Sequence, residues 1–115
     1  MSNTQISKIL AGVADQTLSF ADVIAFIESN YHYQPVDFAN GEVNNPAGTN
    51  EGSAKVFGLA KLHGLNQLDT LSLFAEHYRA VLANPDGDDH ANIRNFMHYG
   101  WQGIGMPTNA LTPKV

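Results

Sequence analysis

Apolar residues with helical spacing constrain the fold of this chain more than any other feature of its sequence. Positions three and four residues apart fall on one face of an α-helix. Two such sets occur before Asn30, namely Ile6, Ile9, Leu10 and Val13, then Phe20, Val23, Ile24 and Ile27. Ser19 and Asp22 stand as a capping box with Asp in place of Glu. The second helix is therefore predicted to begin after Ser19 and to end near Asn30.

The helical spacing stops at about residue 31 and does not return before residue 50. Pro35 is incompatible with a helix interior and favours extended geometry at Gln34. The stretch at 40–50, NGEVNNPAGTN, is dense in residues that form turns and loops. We therefore predict a long irregular loop between the second and third helices. Loops of this length in small domains are usually functional or mobile.

Helical signals return in the second half of the chain. The third helix is predicted at about 51–63, with Glu51 and Lys55 as an i, i+4 pair and Gly64 as its end. Asn66 caps a fourth helix, whose apolar stripe is Leu71, Phe74, Ala75, Tyr78, Val81 and Leu82. The turn NPDG at 84–87 precedes a last helix at about 90–99. The tail at 102–115 has two prolines and no helical period, so it is predicted to be irregular.

These signals predict an all-α fold, with residues 1–115 as a single compact domain of about five helices. The formal net charge of −5, with only six Lys and Arg, lacks the basic surface that nucleic acids and anionic membranes attract. The absence of cysteine excludes disulfides and thiolate chemistry. No apolar run reaches the ~20 residues of a membrane span. We therefore predict no nucleic-acid partner and no membrane association.

The segment 84–101, NPDGDDHANIRNFMHYGW, is the densest in chemically active side chains. Asn84, Asp86 and Asp88 occupy the first, third and fifth positions of a calcium loop. The sixth and twelfth positions of that loop require Gly and Glu, but here they are Asp89 and Asn95. The spacing therefore favours a turn followed by a helix cap at Asp88 or Asp89, where acids suit the helix dipole.

His90, Arg94 and His98 follow one another at four-residue intervals along the last helix. Two histidines eight residues apart lie ~12 Å apart along the axis, which is too far for one metal ion. A metal site would need a further histidine from His32, His63 or His77. No metal and no cofactor are therefore predicted.

Polar residues in the middle of the last helix leave two interpretations open. Asn92 and Asn95 are poor helix formers, so they either anchor the loop at 40–50 or recognise a ligand. Arg94 can bind an anion through its forked guanidinium. It can equally pair with Glu51, Asp86 or Asp89.

The start of the third helix is a second candidate for ligand contact. Free amide N–H groups at a helix start favour anions, and Gly52 permits close approach. The chain has neither a P-loop nor a GxSxG nucleophile motif, so no catalytic residue is assigned. The predicted ligand-binding residues are Asn50, Glu51, Ser53, Lys55, His90, Arg94, Asn95 and His98.

Three blocks of the sequence resemble one known family. These are NEGSAKVFGLAKLHGL at 50–65, HYRAVLANPDGDDHANIRNFMHYGW at 77–101 and the looser YHYQPVDFANGEVNNPAGTNEGS at 31–53. Together they resemble the HopJ type III effector family of bacterial proteins. The resemblance implies a small helical protein of effector type, without an agreed catalytic residue. The acid-poor N-terminus, whose first acid is Asp15, fits an export segment weakly because 6–13 already has helical spacing.

The leading hypothesis is a soluble ligand- or protein-binding domain of effector type. Its polar groove would be lined by the helix start at 50–55 and by the helix at 90–98, and its partner would be a small anion or a protein. One alternative is a small hydrolase with His90 or His98 as general base and an aspartate that orients it. Another is a structural module for protein–protein interaction.

Whether the chain is an enzyme stays open at this stage. We expect a monomer or a weak homodimer in the cytoplasm of the producing bacterium, secreted to a host if the effector description applies.

Overall fold

The computed structural model describes residues 3–114 and contains helices and strands. The helices are α1 Asn3–Ala14, α2 Phe20–Asn30, α3 Glu51–His63, α4 Gln67–Ser72, α5 Glu76–Ala83 and α6 Ala91–Tyr99, with a 3₁₀ turn at Gly100–Gly103. The strands are β1 Tyr31–Tyr33, β2 Phe38–Asn40, β3 Val43–Asn45, β4 Ile104–Gly105 and β5 Leu111–Pro113. Within residues 3–114, no helix has the length and apolar character needed to cross a membrane.

The prediction of an all-α fold is wrong, because two small antiparallel sheets accompany the helices. In one sheet β1 pairs with β5, and Tyr31 lies opposite Pro113. The other has the order β3-β2-β4, and Asn40 lies opposite both Val43 and Ile104. The fold is therefore mixed α and β, and the segment expected to be one long loop supplies three of the strands.

Glycine sets the turn between β2 and β3. The two residues between the paired positions Asn40 and Val43 are Gly41 and Glu42, and Gly41 has a φ of 59°. A glycine with positive φ at the first central position is typical of a tight hairpin turn. The hairpin places the side chains of β2 and β3 beside α6.

The tail is also more ordered than the sequence predicts. Met106, Ala110 and Leu111 are buried, and β4 and β5 each pair with a strand from the first half of the chain. Lys61 of α3 donates a hydrogen bond from Nζ to the carbonyl of Met106 at 2.6 Å. The end of the described chain therefore closes the core rather than lying loosely over it.

The predicted caps of the helices are mostly confirmed. Ser19 and Asp22 form the capping box, and Asn66 accepts a hydrogen bond from the backbone of Asp69 at 2.8 Å. Gly64 ends α3 in the left-handed conformation. The cap of α6 is the exception, since His90 rather than Asp88 or Asp89 precedes its first residue.

The predicted fourth helix is interrupted in the structure. It divides into α4 and α5, and Ala75 between them has a φ of 54° and a ψ of −122°. This conformation is one that glycine adopts easily and alanine does not. Ala75 is nevertheless 2% exposed, so the surrounding core enforces the interruption.

The core is centred on Phe57 of α3, whose ring has no exposed surface. Its ring centroid lies 5.0 to 6.5 Å from those of Phe38, Phe74, Phe96 and Trp101. These rings come from β2, from the α4–α5 interruption, from α6 and from the 3₁₀ turn. One side chain therefore connects most elements of the fold.

A partly buried hydrogen bond connects β1 to the end of α3. The hydroxyl of Tyr31 lies 2.7 Å from Nε2 of His63, and Tyr31 is 2% exposed. Burial lowers the pKa of His63 and raises the pKa of Tyr31. At neutral pH the Tyr31 hydroxyl therefore donates to an uncharged imidazole.

The burial of His63 makes the free energy of unfolding depend on pH. Because the pKa of His63 is lower in the folded state, the unfolded state binds more protons below the unfolded pKa of about 6.5. The free energy of unfolding should therefore fall as the pH is lowered from about 7.5 to 5.5. Urea titrations at several pH values measure this dependence. His63→Gln should reduce the fall in the free energy of unfolding with decreasing pH. His32→Gln changes an exposed residue and should leave the wild-type pH dependence unaltered. Equal slopes for wild type and His63→Gln would contradict the assignment.

Candidate functional site

A cleft of about 380 Å³ opens where the first turns of α3 and α6 meet, and we call it the α3–α6 cleft. The first turn of α3 contributes Gly52 and Ser53, and that of α6 contributes Ala91 and Asn92. The other walls come from the start of α2, from β3 and from both sides of the α4–α5 interruption. Two separate helix starts therefore share one cavity.

Both helix starts lack a side-chain cap. Asn50 precedes α3 and His90 precedes α6, and each has a left-handed backbone with no side-chain hydrogen bond to its helix. The Asn50 amide instead donates to Oδ1 of Asn45 at 2.7 Å. The first N–H groups of a helix have no intrahelical partner and carry the positive end of its dipole. The α3–α6 cleft is therefore lined by helix starts that favour negative charge.

Two histidines face each other at the α3–α6 cleft. The ring centroids of His77 and His90 are 5.1 Å apart, with 38° between the ring planes. The ring of His77 also meets Phe20 edge to face, with 4.8 Å between centroids. Nε2 of His90 lies 4.0 Å from the nearest oxygen of Asp89, beyond hydrogen-bond distance. Within residues 3–114, no hydrogen bond joins either histidine to a carboxylate.

Backbone strain is concentrated around the α3–α6 cleft. Four residues other than glycine have positive φ in the described chain: Gln16, Asn50, Ala75 and His90. Asn50 and His90 line the cleft, and Ala75 lies between Phe74 and His77, which also line it. Such conformations cost about 1–3 kcal/mol each and persist only where surrounding contacts enforce them. The shape of this cleft is therefore imposed by tertiary structure rather than by local preference.

One of the contacts that enforce this shape is made by Glu76. Its Oε1 accepts a hydrogen bond from the backbone N–H of Phe20 at 2.7 Å, which ties α5 to the start of α2. Desolvation opposes ionisation of Glu76, but the backbone N–H groups of Phe20 and of Glu76 itself outweigh it and lower its pKa. The charged carboxylate therefore holds Phe20 beside His77.

The structure brings three of the predicted ligand-binding residues to the α3–α6 cleft, namely Asn50, Ser53 and His90. Glu51 and Lys55 lie on another side of α3, against α2 and β1. Nζ of Lys55 forms an ion pair with Glu28 at 2.9 Å and lies 4.9 Å from the ring centroid of Tyr33. Burial and the nearby Glu51 carboxylate raise the pKa of Tyr33.

Arg94 and His98 lie at a different surface. The guanidinium of Arg94 donates to the carboxylate of Asp89 at 2.7 Å, to the carbonyl of Asp89 at 2.6 Å and to that of Pro85 at 3.1 Å. The pairing interpretation of Arg94 is therefore confirmed, and its donors stabilise the turn before α6. Arg94 and His98 line a second groove of about 330 Å³ together with Leu82.

The asparagines of α6 anchor the segment that the sequence predicted to need partners. Asn92 accepts hydrogen bonds at Oδ1 from Asn40 at 3.0 Å and from Asn45 at 3.1 Å, and it donates to Asn45 at 3.0 Å. Asn95 accepts a hydrogen bond from the backbone of Glu42 at 3.0 Å. The anchoring interpretation of Asn92 and Asn95 is therefore confirmed.

Comparison with known proteins identifies the family of the chain. A family model described as HopJ type III effector protein matches residues 5–111. The chain belongs to the HopJ family. The search of curated proteins gave no significant match.

A solved crystal structure resembles the HopJ chain closely. It is described as that of unknown function protein VPA0580, with 42% sequence identity and a TM-score of 0.88. The match covers 99% of this chain and 95% of that chain. The similarity therefore supports the mixed α and β architecture, and the printed description adds no activity.

Sequence reasoning missed His77 and Phe20 as parts of the cleft. It considered His77 only as a further ligand that a metal site would need, and Phe20 only as part of the apolar face of the second helix. His77 opens one of the blocks that resemble the HopJ family, which was the available signal. Its approach to His90 depends on the interruption at Ala75, and a continuous helix would direct it elsewhere.

The geometry of the HopJ chain also bears on metal binding and hydrolysis. Among residues 3–114, no group of three or more His, Asp or Glu lies where it could hold a metal ion. A hydrolytic histidine needs an orienting carboxylate within hydrogen-bond distance, and the pair His90–Asp89 at 4.0 Å does not provide it.

Proposed function

We propose that the HopJ chain is a ligand-binding domain that binds a small anion in the α3–α6 cleft. The observation that carries the proposal is the approach of His77 and His90 to 5.1 Å in that cleft. Two imidazoles this close repel when both are protonated, and an anion that accepts a hydrogen bond from each ring offsets that repulsion. Each imidazole also offers an N–H donor at every protonation state.

The helix starts also support the binding of an anion. The dipole at a helix N-terminus contributes about 0.3–1 kcal/mol toward an anion. α3 and α6 both present such an end to the cleft, with Ser53 adding a hydroxyl. The formal net charge of −5 disfavours general attraction of anions. Affinity for an anion would therefore be a local property of the cleft.

The proposal predicts that inorganic phosphate binds saturably in the α3–α6 cleft at about pH 6. His77→Gln and His90→Gln should each weaken binding at pH 6 about tenfold, as expected for the loss of one charge-assisted hydrogen bond. Calorimetric titration measures the affinity. Amide chemical shifts of Gly52, Ser53 and Ala91 would report where phosphate binds.

His32→Gln is the matched control, since His32 is an exposed residue of β1 and does not line the α3–α6 cleft. It should bind phosphate as wild type does. Absence of saturable phosphate binding at pH 6 would refute the proposal, and so would equal affinity in wild type and His77→Gln.

The second groove favours a protein-binding module as the other candidate function. Leu82 is 51% exposed there and lies beside Met97, so part of the groove is apolar. Leu68, at 63% exposed, adds a further apolar side chain to the surface. A protein partner, or a weak homodimer in exchange with monomer, would cover such residues. Sedimentation of wild type and Leu82→Ser at several concentrations separates these states.

The role as an effector is a proposal of a different kind, because it concerns where the chain acts. We propose that the chain folds in the cytoplasm of the producing bacterium and is exported from there. The expected export segment includes residues 1–2, which lie outside the described residues. Ile6 and Val13 of α1 are buried, so export of this segment requires α1 to leave the core. Fusion of residues 1–15 to a reporter tests secretion directly.

A further inference from the structure

We infer that the anion held in the α3–α6 cleft is an organic acid with a planar apolar body, such as an aromatic carboxylate. This inference rests on the proposed function and specifies the class of ligand. It follows from the aromatic wall of the cleft, which the binding of a bare anion does not require.

Aromatic rings lead from the core into the α3–α6 cleft. Phe57 of the core lies 5.5 Å from Phe74, and Phe74 lies 5.9 Å from Phe20 with nearly parallel planes. Phe20 then meets His77 at 4.8 Å, and His77 meets His90 at 5.1 Å. The four rings that line the cleft are those of Phe20, Phe74, His77 and His90. The cleft is therefore lined by phenyl rings that lie directly beside imidazoles.

Phe20 is the part of the apolar wall that a ligand can contact. Phe74 is 2% exposed, whereas Phe20 is only partly buried. A Cβ atom at Gly52 would lie 3.1 Å from Cζ of Phe20, so glycine at this position lets the ring rest on the first turn of α3. The hydrogen bond from the backbone of Phe20 to Glu76 holds the other side of the residue. The ring is thus fixed in place while one part of it stays accessible.

The volume of the cleft fits a ligand larger than an inorganic ion. Small-molecule sites commonly have about 300–1,000 Å³ and combine apolar walls with a few polar groups. The α3–α6 cleft has about 380 Å³, and acetate or phosphate would leave much of it to water. A planar apolar body would displace that water from Phe20 and gain an aromatic contact. The acid group would then lie at His77, His90 and the start of α6.

The test compares three probes of related shape at about pH 6: benzoate, acetate and benzamide. Benzoate should bind about tenfold more tightly than acetate, because only benzoate covers Phe20. Benzamide has the ring without the charge and should bind more weakly than benzoate. In the wild-type protein, the ring current of bound benzoate should change the chemical shifts of the amide protons of Gly52 and Ser53.

Variants separate the apolar part of the site from the polar part. Phe20→Leu should lower benzoate affinity by a much larger factor than acetate affinity, which removes most of the advantage of benzoate. Phe26→Leu, another partly buried phenylalanine of α2, should keep the advantage. His77→Gln should weaken both acids. Thermal unfolding of each variant confirms that it is folded.

The outcomes distinguish this inference from the proposed function. If acetate and benzoate bind equally well and both depend on His77, the inference is overturned and the proposed function stands. If benzoate binds but changes only the amide chemical shifts of residues in the groove at Leu82, the inference is again overturned. If neither acid nor phosphate binds, the proposed function fails and the inference fails with it.

Discussion

Phe57→Ala is expected to lower the free energy of unfolding by about 3–5 kcal/mol, which is the usual effect of removing a fully buried phenyl ring. Phe57 has no exposed surface, and four aromatic rings from separate elements surround it. Because those rings are held by different elements, they cannot all move in to fill the cavity. Small domains have about 5–15 kcal/mol of total stability, so much of it would be lost.

Denaturation in urea measures this effect as a shift of the midpoint with little change in slope. Leu68→Ala is the matched control, because Leu68 is 63% exposed and its truncation should change stability by less than about 0.5 kcal/mol. The loss of stability in Phe57→Leu should lie between those of Phe57→Ala and Leu68→Ala, since leucine fills part of the cavity. A Phe57→Ala variant as stable as Leu68→Ala would show that the aromatic cluster does not organise the core.

The parts of the fold that the sequence predicts well are those set by neighbouring residues. Ser19 and Asp22 cap α2 because they are three positions apart, and Gly64 ends α3 because glycine tolerates a left-handed backbone. Both signals lie within one turn of the structure they cause. The third helix accordingly has the predicted bounds, Glu51–His63.

The strands could not be predicted in this way, because the cause of each lies far along the chain. Tyr31 pairs with Pro113, and Ala39 pairs with Gly105. A strand of two or three residues is too short to show an alternating pattern. Pro35 and the Asn-rich segment are also typical of loops, and only their partners from the tail convert parts of them to sheet.

The interruption at Ala75 is the feature on which the candidate site most depends, and the sequence contains no sign of it. Alanine has the highest helix propensity of all residues, and the apolar stripe continues through it. The core enforces a positive φ there, and His77 is thereby brought to His90. Sequence reasoning therefore found Asn50, Ser53 and His90 at the cleft but not the second histidine.

Asn92→Ala is the second substitution with a large expected effect, a loss of about 2–4 kcal/mol of stability. Asn40, Asn45 and Asn92 are 0%, 2% and 6% exposed, and their amides bond one another. Truncation of Asn92 removes the acceptor that both other amides share and the donor to Asn45. Three hydrogen bonds between buried side chains are lost, at about 0.5–1.5 kcal/mol each. Asn40 keeps its bond to the Asn92 carbonyl at 2.7 Å, and Asn45 keeps its bond from Asn50 at 2.7 Å. Urea denaturation measures the loss.

Asn44→Ala is the matched control, since Asn44 is the exposed neighbour of Asn45 on β3 and should tolerate truncation within about 0.5 kcal/mol. If Asn92→Ala is equally mild, the three amides do not form a cooperative network. A double-mutant cycle gives a sharper result: Asn45→Ala and Asn92→Ala share two hydrogen bonds, so the double variant should lose less than the sum of the single variants. Strict additivity would mean that β3 is held to α6 by packing alone, and the position of Val43 in the α3–α6 cleft would then not depend on Asn92.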